Sequence, residues 1–155
     1  MKPRSSLTIV LYQPQIPQNA GNIVRTCAVT GSELVFIRPL GFSTTDRWLK
    51  RAGLDYWEGV NVTLFDSFDE YLFEQSKSST DPFFFSSYAQ KLYTSLDYRS
   101  GSHLIFGSET DGLPKELFEK YPSQFATIPM ISKARCLNLA TSVGIVTYEA
   151  IRQLS

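Results

Sequence analysis

Histidine is almost missing from this chain: His103 is the only one in 155 residues. The only two cysteines, Cys27 and Cys136, lie far apart and lack metal-ligand spacing. That argues against a zinc site and against a disulfide in a reducing compartment. Apolar runs stop far short of the roughly 20 residues a membrane helix needs. No signal-peptide pattern opens the chain. These absences read as a cytoplasmic protein with no metal and no membrane partner. No Gly-Lys-Ser/Thr occurs, and the glycines at 107 and 112 have the wrong spacing for a dinucleotide fingerprint. Readings built on phosphate loops are therefore weak. A surplus of positive charge is also lacking, because Lys+Arg and Asp+Glu number 15 each. Neutralising phosphates normally demands a positive surface. A nucleic-acid reading must then rest on local clusters, namely Lys2 with Arg4, and Arg47 with Lys50 and Arg51.

What is present is a hydrophobic fraction of 43%, enough for a real core in a single domain spanning 1–155. Short branched or aromatic runs at 7–11, 34–37, 61–65, 83–85, 103–106 and 125–128 read as strands. Helical patterns fall between them, at 19–30, 45–52, 67–75, 114–120 and 138–154. Pro14 and Pro17 read as holding an extended loop, and Gly31 as a helix stop. Leu139, Val143, Val146, Ala150 and Leu154 recur at steps of three and four, giving the last helix one apolar face. Asn138 suits its cap, because the side-chain oxygen can accept from first-turn amides. Residues 88–101 carry no legible pattern. Strands alternating with helices predict an α/β fold with a mainly parallel sheet.

In open sheets of this class, ligands sit beyond the carboxyl ends of the strands. Three segments follow predicted strands and combine glycine, amide and charged residues: 19–25, 107–114 and 129–138. Gly107 and Gly112 permit close backbone approach or unusual dihedrals. At roughly 100° per residue, Arg25 points away from the side shared by Ile23, Val24, Cys27 and Ala28. It reads either as a surface arginine or as a charge aimed across the first loop. Gly144 lies inside a helix, where glycine costs roughly 1 kcal/mol relative to alanine. Its reading from the sequence is packing under a neighbouring strand.

Asn19-x-x-Asn22-x-x-Arg25, Phe106-Gly-Ser-Glu-Thr-Asp-Gly-Leu-Pro114, and Ile128-Pro-Met with Leu137-Asn-Leu-Ala and Tyr148-Glu149 appear in that order. Together they resemble the three motifs of the SPOUT RNA methyltransferases. The similarity is greatest to the small tRNA (cytidine/uridine-34) 2′-O-methyltransferases and extends over nearly the whole chain, including Arg51-Ala-Gly-Leu-Asp-Tyr56. The resemblance implies a C-terminal trefoil knot, a homodimer with shared sites, S-adenosyl-L-methionine as methyl donor and tRNA as substrate. Carried over, it places cofactor contacts at Phe85, Gly107, Ile128, Cys136 and Leu137, many of them through backbone. Cys136 stands where the family usually has serine, and a thiol is the poorer hydrogen-bond donor.

The resemblance gives catalytic roles to Arg25, Asn19 and Asn138, with Glu109 and Tyr148 in support. Arg25 would come from the partner chain. Because a guanidinium stays protonated, its expected work is to clamp a phosphate and stabilise the developing oxyanion. Asn19 would orient Arg25 or the ribose. Glu109 and Asn138 would order their loops, though turn or cap bonding alone explains Glu109 nearly as well. Methylation of another tRNA position or of rRNA, or binding of RNA or cofactor without catalysis, are the competing readings.

Overall fold

The strand from which the sheet is built has the sequence TIVLY and is buried along almost its whole length. Such a run belongs in the middle of a parallel sheet, where helices cover both faces. The computed structural model describes residues 6–43, 59–131 and 136–155. Within them β1 (Thr8–Tyr12) is followed by α1 (Pro17–Thr30), β2 (Glu33–Ile37), β3 (Val62–Phe65), α2 (Phe68–Gln75), β4 (Phe83–Phe85), β5 (His103–Phe106), α3 (Lys115–Lys120), β6 (Phe125–Ala126) and α4 (Leu139–Leu154). The strands form one sheet in the order β3-β2-β1-β5-β4-β6. Every strand pairing is parallel. The α/β class with a parallel sheet is thus the fold adopted. Among the described residues no helix is long and apolar enough to cross a membrane.

Strand alternation divides the core into two layers. Ile9 and Leu11 face one layer, Val10 the other. On the first face α1 and α4 pack against each other, contributing Ile23, Val24 and Cys27 from α1 and Val143, Val146 and Ala150 from α4. Burial pushes the Cys27 thiol up to about 12, so it behaves as a small apolar side chain. On the second face Tyr71 of α2 and Leu117 of α3 cover Val10, Val35 and Ile105. Tyr71 also bonds the Nδ1 of His103 at 2.7 Å. Burial holds the pKa of that imidazole below its ordinary value. It sits at the amino end of β5, away from the loops of interest.

Several expectations need correction. Pro17 does not extend the loop; it opens α1, where its fixed φ is already helical and no amide is needed. Gly31 closes that helix at φ 71. β6 ends at Ala126 rather than at 128, because its neighbour β4 has only three residues. Thr127 turns instead to the β4–β5 connection, giving its N–H to Lys91 and accepting from the Tyr93 N–H. Leu154 leaves the apolar face of α4 and is 39% exposed in the last turn. The unpatterned stretch 88–101 holds a short 3-10 turn, Tyr93–Ser95, and three core side chains, Ala89, Leu96 and Tyr98. The helix expected at 45–52 with Arg47, Lys50 and Arg51, the matching segment 51–56, and Lys2 and Arg4 lie outside the described residues.

Glu149 ties α4 to the β4–β5 connection. It accepts from Arg152 at 2.8 and 2.9 Å and from Gln153 at 2.8 Å. Gln153 in turn accepts the Tyr98 N–H at 3.2 Å. The Arg152 and Gln153 bonds hold the Glu149 carboxyl at about 2. A depressed carboxyl contributes stability that is complete above its unfolded value and lost as pH falls through the folded one. The melting-temperature gap between wild type and Glu149→Gln should therefore be constant from pH 7 to 5 and close toward pH 2. A gap that widens in acid would refute the assignment. Ile105→Ala, at a site with no exposure, should cost about 2–5 kcal/mol in denaturant unfolding. A loss well under 1 kcal/mol would contradict the packing described.

Candidate active site

The loops that leave β1, β4, β5 and β6 at their carboxyl ends meet around one cavity of about 700 Å³, within the range typical of ligand sites. Phe85, Phe106, Ile128 and Leu139 supply apolar wall, and Asn19, Ser108, Thr110 and Asn138 supply polar groups. Leu139 and Ser142 bring the first turn of α4 into the lining.

The glycine loop is built by its backbone. Ser108 and Gly112 pair across it, with N–H to O distances of 3.4 and 3.1 Å. The Asp111 N–H also donates to the Ser108 hydroxyl at 3.0 Å. Gly112 has φ +66, and a Cβ at Gly107 would lie 2.2 Å from the Gly112 carbonyl carbon. Only glycine allows the loop to close on itself at position 107, and position 112 needs a dihedral that other residues rarely adopt.

A directional hydrogen-bond chain fixes the three loops to one another. The Asn138 oxygen caps α4, accepting from the Ala140 and Thr141 N–H groups at 2.8 and 3.2 Å. Its amide nitrogen must therefore face outward, and it donates to the Asn19 oxygen at 2.9 Å. Asn19 then donates to the Glu109 carboxylate at 3.1 Å. That carboxylate also accepts the N–H groups of Gln15 and Ile16, each at 2.8 Å. The Ile16 side chain has no oxygen with which to cap α1, and Glu109 serves that helix start from 93 residues away. Gln15 returns the contact, accepting the Thr110 N–H at 3.3 Å. Negative charge at a helix start is favourable, and a buried amide such as Asn19 is costly unless paired.

Of the residues anticipated from sequence, Phe85, Gly107, Ile128, Cys136, Leu137, Asn19, Asn138 and Glu109 all line this cavity. Cys136 and Leu137 are exposed on its rim. Arg25 and Tyr148 do not line it. Arg25 lies on the exposed side of α1 and Tyr148 is 54% exposed on α4. Gly144 does not pack under a strand, since a Cβ there would find no atom within 4 Å. Sequence reasoning passed over Gln15 and the run Ser86, Ser87 and Tyr88, which lines the cavity after β4. The rule that selected the other three loops, location at a strand's carboxyl end, also picks out that run. Among the described residues no group of three or more His, Cys, Asp or Glu is placed to hold a metal.

The model of the SpoU rRNA Methylase family matches residues 6–148. A Geobacillus stearothermophilus protein, provisionally assigned as a tRNA (cytidine(34)-2′-O)-methyltransferase, is 48% identical over 97% of this chain and 96% of its own. The tRNA (cytidine(34)-2′-O)-methyltransferase of Escherichia coli K12 is 41% identical over 96% and 94%. A solved structure described as "Structural insights into the 2-OH methylation of C/U34 on tRNA" has a TM-score of 0.90 at 46% identity, covering 96% of this chain and 95% of that one.

Two substitutions test the geometry. Asn19→Ala strands groups on both neighbours and should destabilise by about 1–3 kcal/mol in denaturant unfolding. Asn19→Asp should also destabilise, because it replaces the donor facing Glu109 with a second carboxylate. Stability equal to wild type in both would mean the three loops are held together by other means.

Proposed function

The chain belongs to the SpoU rRNA Methylase family, and from that premise we propose that it methylates the ribose 2′-hydroxyl of nucleotide 34, cytidine or uridine, in tRNA. The observation that carries this reading is the convergence of three loops, locked by Glu109, Asn19 and Asn138, on one cavity. A tRNA substrate makes the cytoplasm its place of action.

The cavity suits S-adenosyl-L-methionine. Phe85, Ile128 and Leu137 offer apolar surface to an adenosine, and Gly107 leaves backbone open where a side chain cannot fit. Cys136 contributes through its backbone, which the thiol does not disturb. When bound, the cofactor supplies a methyl group already activated by its positive sulfur. The protein's task is then alignment of oxygen, carbon and sulfur, and stabilisation of charge as the hydroxyl proton leaves. That demand requires no histidine. Asn138 and Glu109 hold the C-terminal and glycine loops in register, while Asn19 joins them and fixes the start of α1.

Arg25 supplies the electrostatic part from a second chain. It lies on the exposed side of α1 and does not line its own chain's cavity. The adjoining surface of α1 and α4 carries exposed Val29 and Tyr148 and the open side of Gly144. Those features favour a homodimer in which this surface meets its copy and Tyr148 supports the neighbouring site. In the same reading the C-terminal part of the chain forms a trefoil knot. The bonds of Thr127 to Lys91 and Tyr93, which tie the end of β6 to the β4–β5 connection, support it.

The test is incubation with labelled donor and unmodified tRNA, followed by mapping of the label. Label on the ribose of nucleotide 34 supports the reading; label on another tRNA position, or on rRNA alone, overturns the assignment of substrate. Arg25→Ala should keep the rise in melting temperature given by S-adenosylmethionine yet lose roughly 10²–10³-fold in turnover. Near-normal turnover would remove Arg25 from the mechanism. Arg25→Lys keeps the charge without the planar fork and should fall between the two.

A further inference from the structure

The lining of the cavity also holds a residue, not among those assigned to the cofactor, that the reaction has not used. Tyr88 lines the cavity and remains 37% exposed. Its ring is held from three directions. The hydroxyl donates to the Leu113 carbonyl at 3.1 Å. Phe118 meets the ring edge-to-face at 5.5 Å, and Phe125 stacks on it at 6.1 Å with an interplanar angle of 26°. Phe125 is itself clamped between Phe84 at 4.8 Å and Phe118 at 5.1 Å. The Tyr88 ring is thus the outer member of a fixed aromatic cluster, with its remaining surface turned to the cavity and solvent. Ser86, Ser87 and Asp111 line the same cavity with hydrogen-bonding groups.

We propose that Tyr88 is the stacking platform for an unpaired nucleobase of the bound RNA, and so a positioning residue for methyl transfer. This rests on the reading of the protein as a tRNA methyltransferase. An immobile ring loses little entropy on binding, and every base presents a π-face to it. Bases in single-stranded loops are the ones free to splay onto aromatic side chains. Tyr88 is packed against Phe118 of α3, whereas Cys136, Leu137 and Asn138 lead into α4. The chain has zero formal net charge, so stacking supplies affinity that bulk electrostatics does not.

The test compares Tyr88→Leu, Tyr88→Phe and Tyr88→Trp with wild type in the same tRNA methylation assay, alongside the melting-temperature rise given by S-adenosylmethionine. Tyr88→Leu should raise KM for tRNA about 5- to 150-fold, the range spanned by loss of one base–aromatic stack. Its cofactor-induced rise should stay as in wild type. Tyr88→Phe and Tyr88→Trp, which keep a ring, should restore KM to within about threefold. An unchanged KM in Tyr88→Leu would reduce the ring to packing. A lost cofactor response would assign it to the adenosine instead. Should Tyr88→Leu not fold, the extra indole emission of Tyr88→Trp decides the matter. Quenching by an anticodon stem-loop but not by S-adenosylmethionine supports the platform, and the reverse overturns it. Wild-type methylation, measured in parallel, tests the enzyme reading separately from the platform.

Discussion

Two asparagines and a glutamate hold this protein's functional end together. Glu109, Asn19 and Asn138 come from three different loops, and each asparagine can satisfy its neighbours in only one orientation. The chain runs from the first amides of α4 to the Gln15 and Ile16 amides just before α1. Reversing either carboxamide would set donor against donor at one helix start or acceptor against acceptor at Glu109. The network therefore specifies an arrangement, beyond stabilising it. Without it, the start of α4 would lose its hydrogen-bonded tie to the β1 loop and, through that, to the glycine loop.

The same chain explains why so little titratable chemistry is needed. Histidine is absent from the cavity, and no metal cluster forms among the described residues. Under the proposed reaction the reactive group arrives activated, so the protein contributes geometry and one permanent cation. Glu109 anchors the start of α1, and Arg25 rides two turns further along that helix. The anchor and the cation are therefore on one rigid rod.

Much of the fold was legible because its signals are local. The run at 7–11, the stop at Gly31 and the cap at Asn138 each depend on residues within a turn or two. The outward direction of Arg25 followed from helical periodicity alone. Less legible was anything decided by a distant partner. Pro17 could open a helix or stiffen a loop, and only the Glu109 carboxylate far along the chain makes the first choice favourable. The extent of β6 depended on the shortness of β4. Residues 88–101 form little regular structure, and their order comes from Leu96 and Tyr98 inserting into a core made by α1 and α4. Gly107 and Gly112 were recognised as special, but which needed closeness and which needed a positive φ was a matter of tertiary geometry.

A crystal structure with S-adenosylhomocysteine probes the central claim most directly. The account predicts the ligand in the cavity between Phe85, Gly107, Ile128 and Leu137, with the partner's Arg25 facing the sulfur. A ligand bound elsewhere, or a guanidinium pointing away from the sulfur in every assembly formed, would contradict it.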